Sequence, residues 1–305
     1  MTPLLQYRDT LENIYRKYDY WLIPLCKAIV SLIIFFMVGS HLGSAGLVRN
    51  PLVLLAAALL CSFLPWTGIT VFAAMFMLGG LYKISLEFTA VTLVIFLIAA
   101  LLQTTFQAKH AILIVLVPLA FILHIPYVIP VAAGLSLGFI SIIPTTIGVM
   151  MYYYLTYAAA NASTLTKAGD MTEMAAQYAD IFLSFFNNHA MIVAALAFIL
   201  AILVVYVISS LQINYAWEIA ASAGLITVFA VELAGFQYIK AAFHPVNALG
   251  SLLISAFILA LYVLTFHGAD YQRTERVQFE DDDYFYYVKA VPKLKASEHD
   301  TGTKS

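Results

Sequence analysis

The stretch MIVAALAFILAILVVYVISSL, residues 191–211, carries no charged side chain and only two serines, both at its end. A helix rises about 1.5 Å per residue and the hydrocarbon core of a bilayer is about 30 Å thick, so about 20 such residues make one crossing. A helix that is apolar all round has no polar face for water. In lipid it needs none, because every backbone group bonds within the helix. The segment predicts a transmembrane helix, and the rest of the chain is read outward from it.

Of 305 residues, 63% are hydrophobic and 10% charged, against about a quarter charged in a soluble domain. The charges gather at the ends. Residues 1–20 carry six and residues 268–305 carry fourteen, leaving twelve for the 247 between. This predicts an all-α polytopic integral protein of the cell membrane, with the lipid bilayer as its first partner. The net charge of -2 gives no basis for a nucleic-acid partner. Cys26 and Cys61 lie inside apolar runs, which speaks against a disulfide framework or a zinc site. The charged, tyrosine-rich first twenty positions show no cleavable signal pattern.

Further full-length spans are read at 21–39, 88–106, 215–235 and 248–267. Proline and glycine cut the remaining apolar sequence into 51–65, 68–81, 111–125, 127–143 and 145–160. Several of these are short, as expected of tilted spans or of half-membrane segments lining a cavity. The total is ten crossings, with eight as the alternative. Arg8, Arg16 and Lys17 precede the first span, and Arg273, Arg276, Lys289, Lys293 and Lys295 follow the last. Both termini are therefore expected in the cytoplasm, and 161–189 becomes an extracytoplasmic loop. In that loop Asp170 and Glu173 form a capping-box pattern ahead of Met174, Tyr178, Ile181, Phe182 and Phe185, predicting an amphipathic helix. Residues 1–20 form a weaker amphipathic segment on the cytoplasmic side.

The membrane domain 21–160 contains an internal echo. LLCSFLPW (59–66) sets Pro65 against Pro126 of AFILHIPY (120–127), and AAMFMLGG (73–80) then meets AAGLSLGF (132–139). Three segments per unit would make 51–106 and 111–160 a 3+3 inverted repeat, followed by a three-span bundle at 190–267. The alternative is that the small residues only permit close helix packing.

Broken helices leave unpaired backbone groups that can bind a solute without charged side chains. On that basis the solute-binding candidates are Pro65, Trp66, Thr67 and Gly68 at the first break, His124, Pro126 and Tyr127 at the second, and Thr145 and Thr146 nearby. His124 is expected to hydrogen-bond an exposed carbonyl. Glu218 and Glu232 are intramembrane carboxylates fourteen residues apart, within about 40° of one helical face. Each lies near a helix end, so an interfacial carboxylate is the simpler account. Lys27 is expected to reach the cytoplasmic surface.

The tail, 268–305, holds strand-forming sequence at 276–280 and 284–291 around Asp281, Asp282 and Asp283. It predicts a cytoplasmic β-hairpin whose Phe279, Tyr284, Tyr286 and Tyr287 dock a protein partner. Consecutive side chains on an extended chain point to opposite faces, so the aspartates read as a turn rather than a catalytic cluster. The HExxH and phosphate-loop motifs are absent from the sequence. No catalytic residue, metal site or cofactor is therefore expected. The leading functional expectation is a permease moving or binding a small solute through the Pro-broken core. The alternative is a non-catalytic membrane scaffold that recruits partners through its tail, and an intramembrane lipid-modifying enzyme stands third.

Overall fold

The computed structural model describes residues 2–41, 50–83, 86–105, 110, 112–160, 187–240, 245–266, 275–281 and 284–290. The predicted loop helix of 170–186, Asp282, Asp283 and the end of the tail lie outside the described residues. The helices are α1 (Thr2–His41), α2 (Pro51–Phe63), α3 (Trp66–Tyr82), α4 (Leu86–Thr105), α5 (Leu113–Ile122), α6 (Val128–Ser136), α7 (Ile142–Ala160), α8 (His189–Ser209), α9 (Ala216–Ile239) and α10 (Pro245–Phe266). A 3₁₀ turn, Phe139–Ser141, leads into α7, and two strands follow, β1 (Glu275–Glu280) and β2 (Phe285–Ala290).

Among the described residues, five helical stretches are long and apolar enough to cross a membrane: Tyr20–Ser40 of α1, Phe139–Ala160, and the whole of α8, α9 and α10. The chain is thus an α-helical membrane protein. Tyr18 departs from helical dihedrals (φ -116°, ψ 18°), so α1 bends between its charged first half and its span. One expected span, 127–143, is not a single helix. Val128–Ser136 has nine residues and rises only about 14 Å. Gly138 stops it at φ 74°, a backbone conformation open to glycine and costly for most other residues.

The helices pack around two hydrophobic cores. Ile34 and Phe35 of α1, Cys61 of α2, Ile69 and Met77 of α3, and Met151 and Tyr154 of α7 make the first. Val131 of α6, Phe198 and Val205 of α8, Ala220 and Val228 of α9, and Leu259 of α10 make the second. Two helices serve both: α5 gives Val115 to one core and Val117 to the other, and α7 gives Met151 to one and Val149 to the other. Lipid is as apolar as leucine, so helices associate here by close packing rather than by escape from water. Gly224 is an example: a Cβ built there would lie 2.4 Å from Val205 Cγ2 and 3.0 Å from Val131 Cγ2. The large apolar side chains Leu196, Ile226, Leu253 and Phe257 point outward, where the lipid would be.

Lys27 corrects an expectation. Its Nζ donates to the Leu64 carbonyl at 3.1 Å and lies 5.6 Å from the centre of the Trp66 ring. The chain leaves α2 at Leu64 (ψ 159°) and the Gly68 amide bonds Pro65 O instead, so the Leu64 carbonyl has lost its helical donor. An ammonium beside that carbonyl and an aromatic ring is better placed than one extended toward the surface.

In the tail, β1 and β2 pair antiparallel with Val277 opposite Val288 and Phe279 opposite Tyr286. Asp281 closes the turn. Its N–H donates to Tyr284 O at 3.0 Å, and its Oδ1 accepts from the Tyr284 N–H at 2.8 Å. Oδ2 accepts from the Tyr286 hydroxyl at 2.9 Å, and this bond holds the phenol above its ordinary pKa.

Candidate functional site: a polar cavity at the Pro126 break

The site begins with the way α5 ends. Leu123 caps the helix and His124 follows at φ 59°, a left-handed position usually filled by glycine. The His124 N–H donates to Phe121 O at 3.1 Å and the Ile125 N–H to Ala120 O at 2.8 Å. These are the two bonds of a Schellman cap, and Pro126 then prevents the helix from resuming. This cap satisfies the Ala120 and Phe121 carbonyls. At the break at Pro65, Lys27 takes the Leu64 carbonyl and the Gly68 amide takes Pro65 O. The polarity available at the second break comes from side chains.

The tight cap turns Tyr127 inward. It is 3% exposed, and its hydroxyl donates to Glu232 Oε2 of α9 at 2.5 Å. Glu232 is thus a bonded group facing a cavity. Around the pair lies a cavity of about 230 Å³, lined also by Phe121, His124 and Pro126, by Tyr152 and Tyr153 of α7, by the first turns of α8 (Ala190, Val193, Ala194) and by Asn247, Ala248 and Ser251 of α10. Glu232 stands seven residues before the end of α9, and α8 and α10 contribute their beginnings. The cavity is consequently about 10 Å deep, at the end of the bundle to which residues 161–188 attach.

Close packing fixes its walls. A Cβ at Gly235, three residues after Glu232, would lie 2.5 Å from Val193 Cγ1, so the glycine lets α9 bring Glu232 against the cavity-lining start of α8. Phe121 stacks on Tyr152 (4.5 Å between centroids, 12° between planes) and on Phe198 (5.6 Å, 17°), anchoring the aromatic wall to the second core. Ser251 is 7% exposed and its Oγ has no hydrogen-bond partner. Serines and threonines elsewhere, such as Ser136, Ser210 and Thr227, bond the carbonyl four residues back. A buried hydroxyl without such a bond, at a cavity wall, is an unmet polar group.

Of the sequence candidates, His124, Pro126, Tyr127 and Glu232 come together here. Pro65, Trp66, Thr67 and Gly68 form the separate α2–α3 break with Lys27. Thr146 bonds the Ile142 carbonyl at 2.8 Å, while Thr145 is fully buried with an unpartnered hydroxyl; neither lines the cavity. Glu218 lies exposed in the first turn of α9, where a carboxylate suits the positive end of the helix dipole. Phe279, Asp281, Tyr284, Tyr286 and Tyr287 belong to the hairpin. The sequence reading missed Phe121, Tyr152, Tyr153, Asn247 and Ser251; two signals for them were available, the run of tyrosines inside a span (152–154) and the serines at 251 and 255, one turn apart.

Among the described residues no group of three His, Cys, Asp or Glu side chains could hold a metal ion. No protein-family model, curated protein or solved structure matches the chain.

Proposed function

We propose that the protein is a multi-pass permease of the cell membrane whose cavity at the Pro126 break binds a small solute for translocation. The observation that carries this reading is the joining of Tyr127, on a broken helix, to Glu232, the carboxylate of a spanning helix, at the wall of a polar cavity. Ionisable groups placed inside a membrane protein and facing a cavity mark solute or ion paths. Cytoplasmic termini, as the flanking lysines and arginines imply, would turn the cavity toward the outside. The remaining short helices would bring the crossings to ten or eight. The test is retention. Purified protein passed through a metabolite extract is expected to carry a small molecule that is released on denaturation. Ser251→Leu and Ala248→Leu, which fill the cavity, should each reduce its recovery at least tenfold. Equal recovery from folded filled variants would refute the site.

A second reading has its own observation. Tyr284, Phe285 and Tyr287 of the hairpin are exposed, and an isolated two-stranded hairpin is marginal in water without another surface. A membrane scaffold recruiting a protein through this tail would use those rings. The double variant Phe285→Ser/Tyr287→Ser should then lose a co-purifying partner that the parent protein retains, with membrane insertion unchanged. An identical set of partners would remove the scaffold reading.

A further inference from the structure

We infer that the cavity at Glu232 takes an ammonium group, seated on the Glu232 carboxylate and walled by aromatic rings. This rests on the reading of the cavity as a binding site and names the chemistry of its ligand.

Charge comes first. Among the described residues the lining holds one carboxylate, the imidazole of His124, and neither lysine nor arginine. An acidic side chain at depth in a membrane costs about 2.5–3.5 kcal/mol even on insertion scales, and such groups pair with a cation or face a wet cavity. Tyr127 supplies a hydrogen bond to Oε2 but no charge, so the site is short of a positive partner.

The rings select the same chemistry. Phe121 and Tyr152 stack at 12°, and Tyr153 meets Tyr152 edge-on, with centroids 5.3 Å apart and planes at 77°. With Tyr127 they give the cavity walls in two orientations. Ring faces carry the negative part of the aromatic quadrupole and attract an ammonium within about 6 Å. An anion would meet the Glu232 carboxylate, which repels it. A sugar would need several polar partners around its ring, whereas besides the tyrosines and Glu232 the polar side chains of the lining are His124, Asn247 and Ser251.

Ser251 supplies a third reason. Its oxygen is buried and has no bond within the protein. A hydroxyl oxygen has two acceptor lone pairs, and an N–H of a primary ammonium would satisfy one, a bond that a quaternary ammonium, having no N–H, would not make. The size is also restrictive, because about 230 Å³ lies below the ~300–1,000 Å³ of pockets for drug-sized ligands. The ammonium must therefore belong to a small amine, to a quaternary ammonium compound or to the protruding head group of a phospholipid.

The experiment uses the full chain in detergent, melted with benzylamine, benzyltrimethylammonium, benzyl alcohol or benzoate at equal ionic strength. A second arm compares nanodiscs of phosphatidylcholine or phosphatidylethanolamine with nanodiscs of phosphatidylglycerol. The two ammonium compounds should raise Tm, and the alcohol and benzoate should not. Glu232→Gln should weaken ammonium binding at least tenfold, about 1.4 kcal/mol. If that variant does not fold, Tyr152→Ile should weaken binding severalfold while Tyr152→Phe retains it. Stabilisation by benzoate or benzyl alcohol equal to that by the amines overturns the ammonium assignment and leaves the solute site standing. Stabilisation confined to choline or ethanolamine lipids upholds the ammonium and overturns the free-solute permease. No shift in either arm overturns both.

Discussion

Gly224→Ala is expected to lower the stability of the folded protein by about 1–3 kcal/mol, the cost of forcing extra volume into a packed core. The new methyl would sit 2.4 Å from Val205 Cγ2 on one side and 3.0 Å from Val131 Cγ2 on the other. Neither valine can yield easily, since a β-branched side chain on a helix has essentially one χ1 rotamer. Relief then requires α9 to move away from α8 and α6, and the second core is built on that contact. The effect should appear as a lower midpoint in thermal or denaturant unfolding in detergent. Val205→Ala opens the space that the methyl needs, so the double variant Gly224→Ala/Val205→Ala should be more stable than Gly224→Ala alone. A Gly224→Ala protein that melts like its parent would show that the helices are farther apart than described.

Tyr127→Phe should have the next largest effect, because it deletes one atom and leaves the Glu232 Oε2 without its donor. Hydrogen bonds to charged groups contribute about 1.5–3 kcal/mol, and a deprived buried acceptor costs a similar amount. The ring still fills its place in the second core, so the loss should report the hydroxyl alone. A double-mutant cycle with Glu232→Ala isolates it. The coupling between the two positions should be about 1–3 kcal/mol, within the range for residues in direct contact. A coupling near zero would mean that the two side chains do not share a bond. Solute retention should fall in both single variants, since each alters the cavity wall.

The sequence disclosed the solvent more readily than the site. The uncharged run at 191–211 demands lipid whatever surrounds it, and the observed helix, His189–Ser209, falls within two residues of it. Inward faces were another matter. A water-soluble helix betrays its buried side by an apolar stripe, but here the lipid-facing residues of α8, such as Leu196 and Leu200, are as apolar as the buried Phe198 and Ile202. The periodicity that would have oriented the helices is therefore missing. Glu232 stood out because its chemistry is rare in such a helix. Tyr127 stood out too, at the break, but its pairing with Glu232 did not, because the two are 105 residues apart in the chain. Pro126 marked the break correctly, but the left-handed His124 fills a position where glycine is the usual signal. The break was thus legible, and the form of its cap was not. Lys27 was misjudged for a related reason: nothing local says that a carbonyl 37 residues later will lack a donor.

The double duty of α5 and α7 has a mechanical and evolutionary consequence. Val115 and Val117 stand two residues apart on one helix, and Val149 and Met151 two apart on the other, so each helix turns opposite faces to the two cores. Gly148 holds the pair together, since a Cβ there would be 2.7 Å from Val117 Cβ. Together they form a party wall, and every residue lining the cavity belongs to the wall, to the Pro126 turn or to α8 and later helices. Heat that loosens α1–α4 need not dissolve the binding chemistry, and unfolding in two stages is built into the plan. On the same logic the first four helices can drift, or be recruited to another task, without the cavity being redrawn.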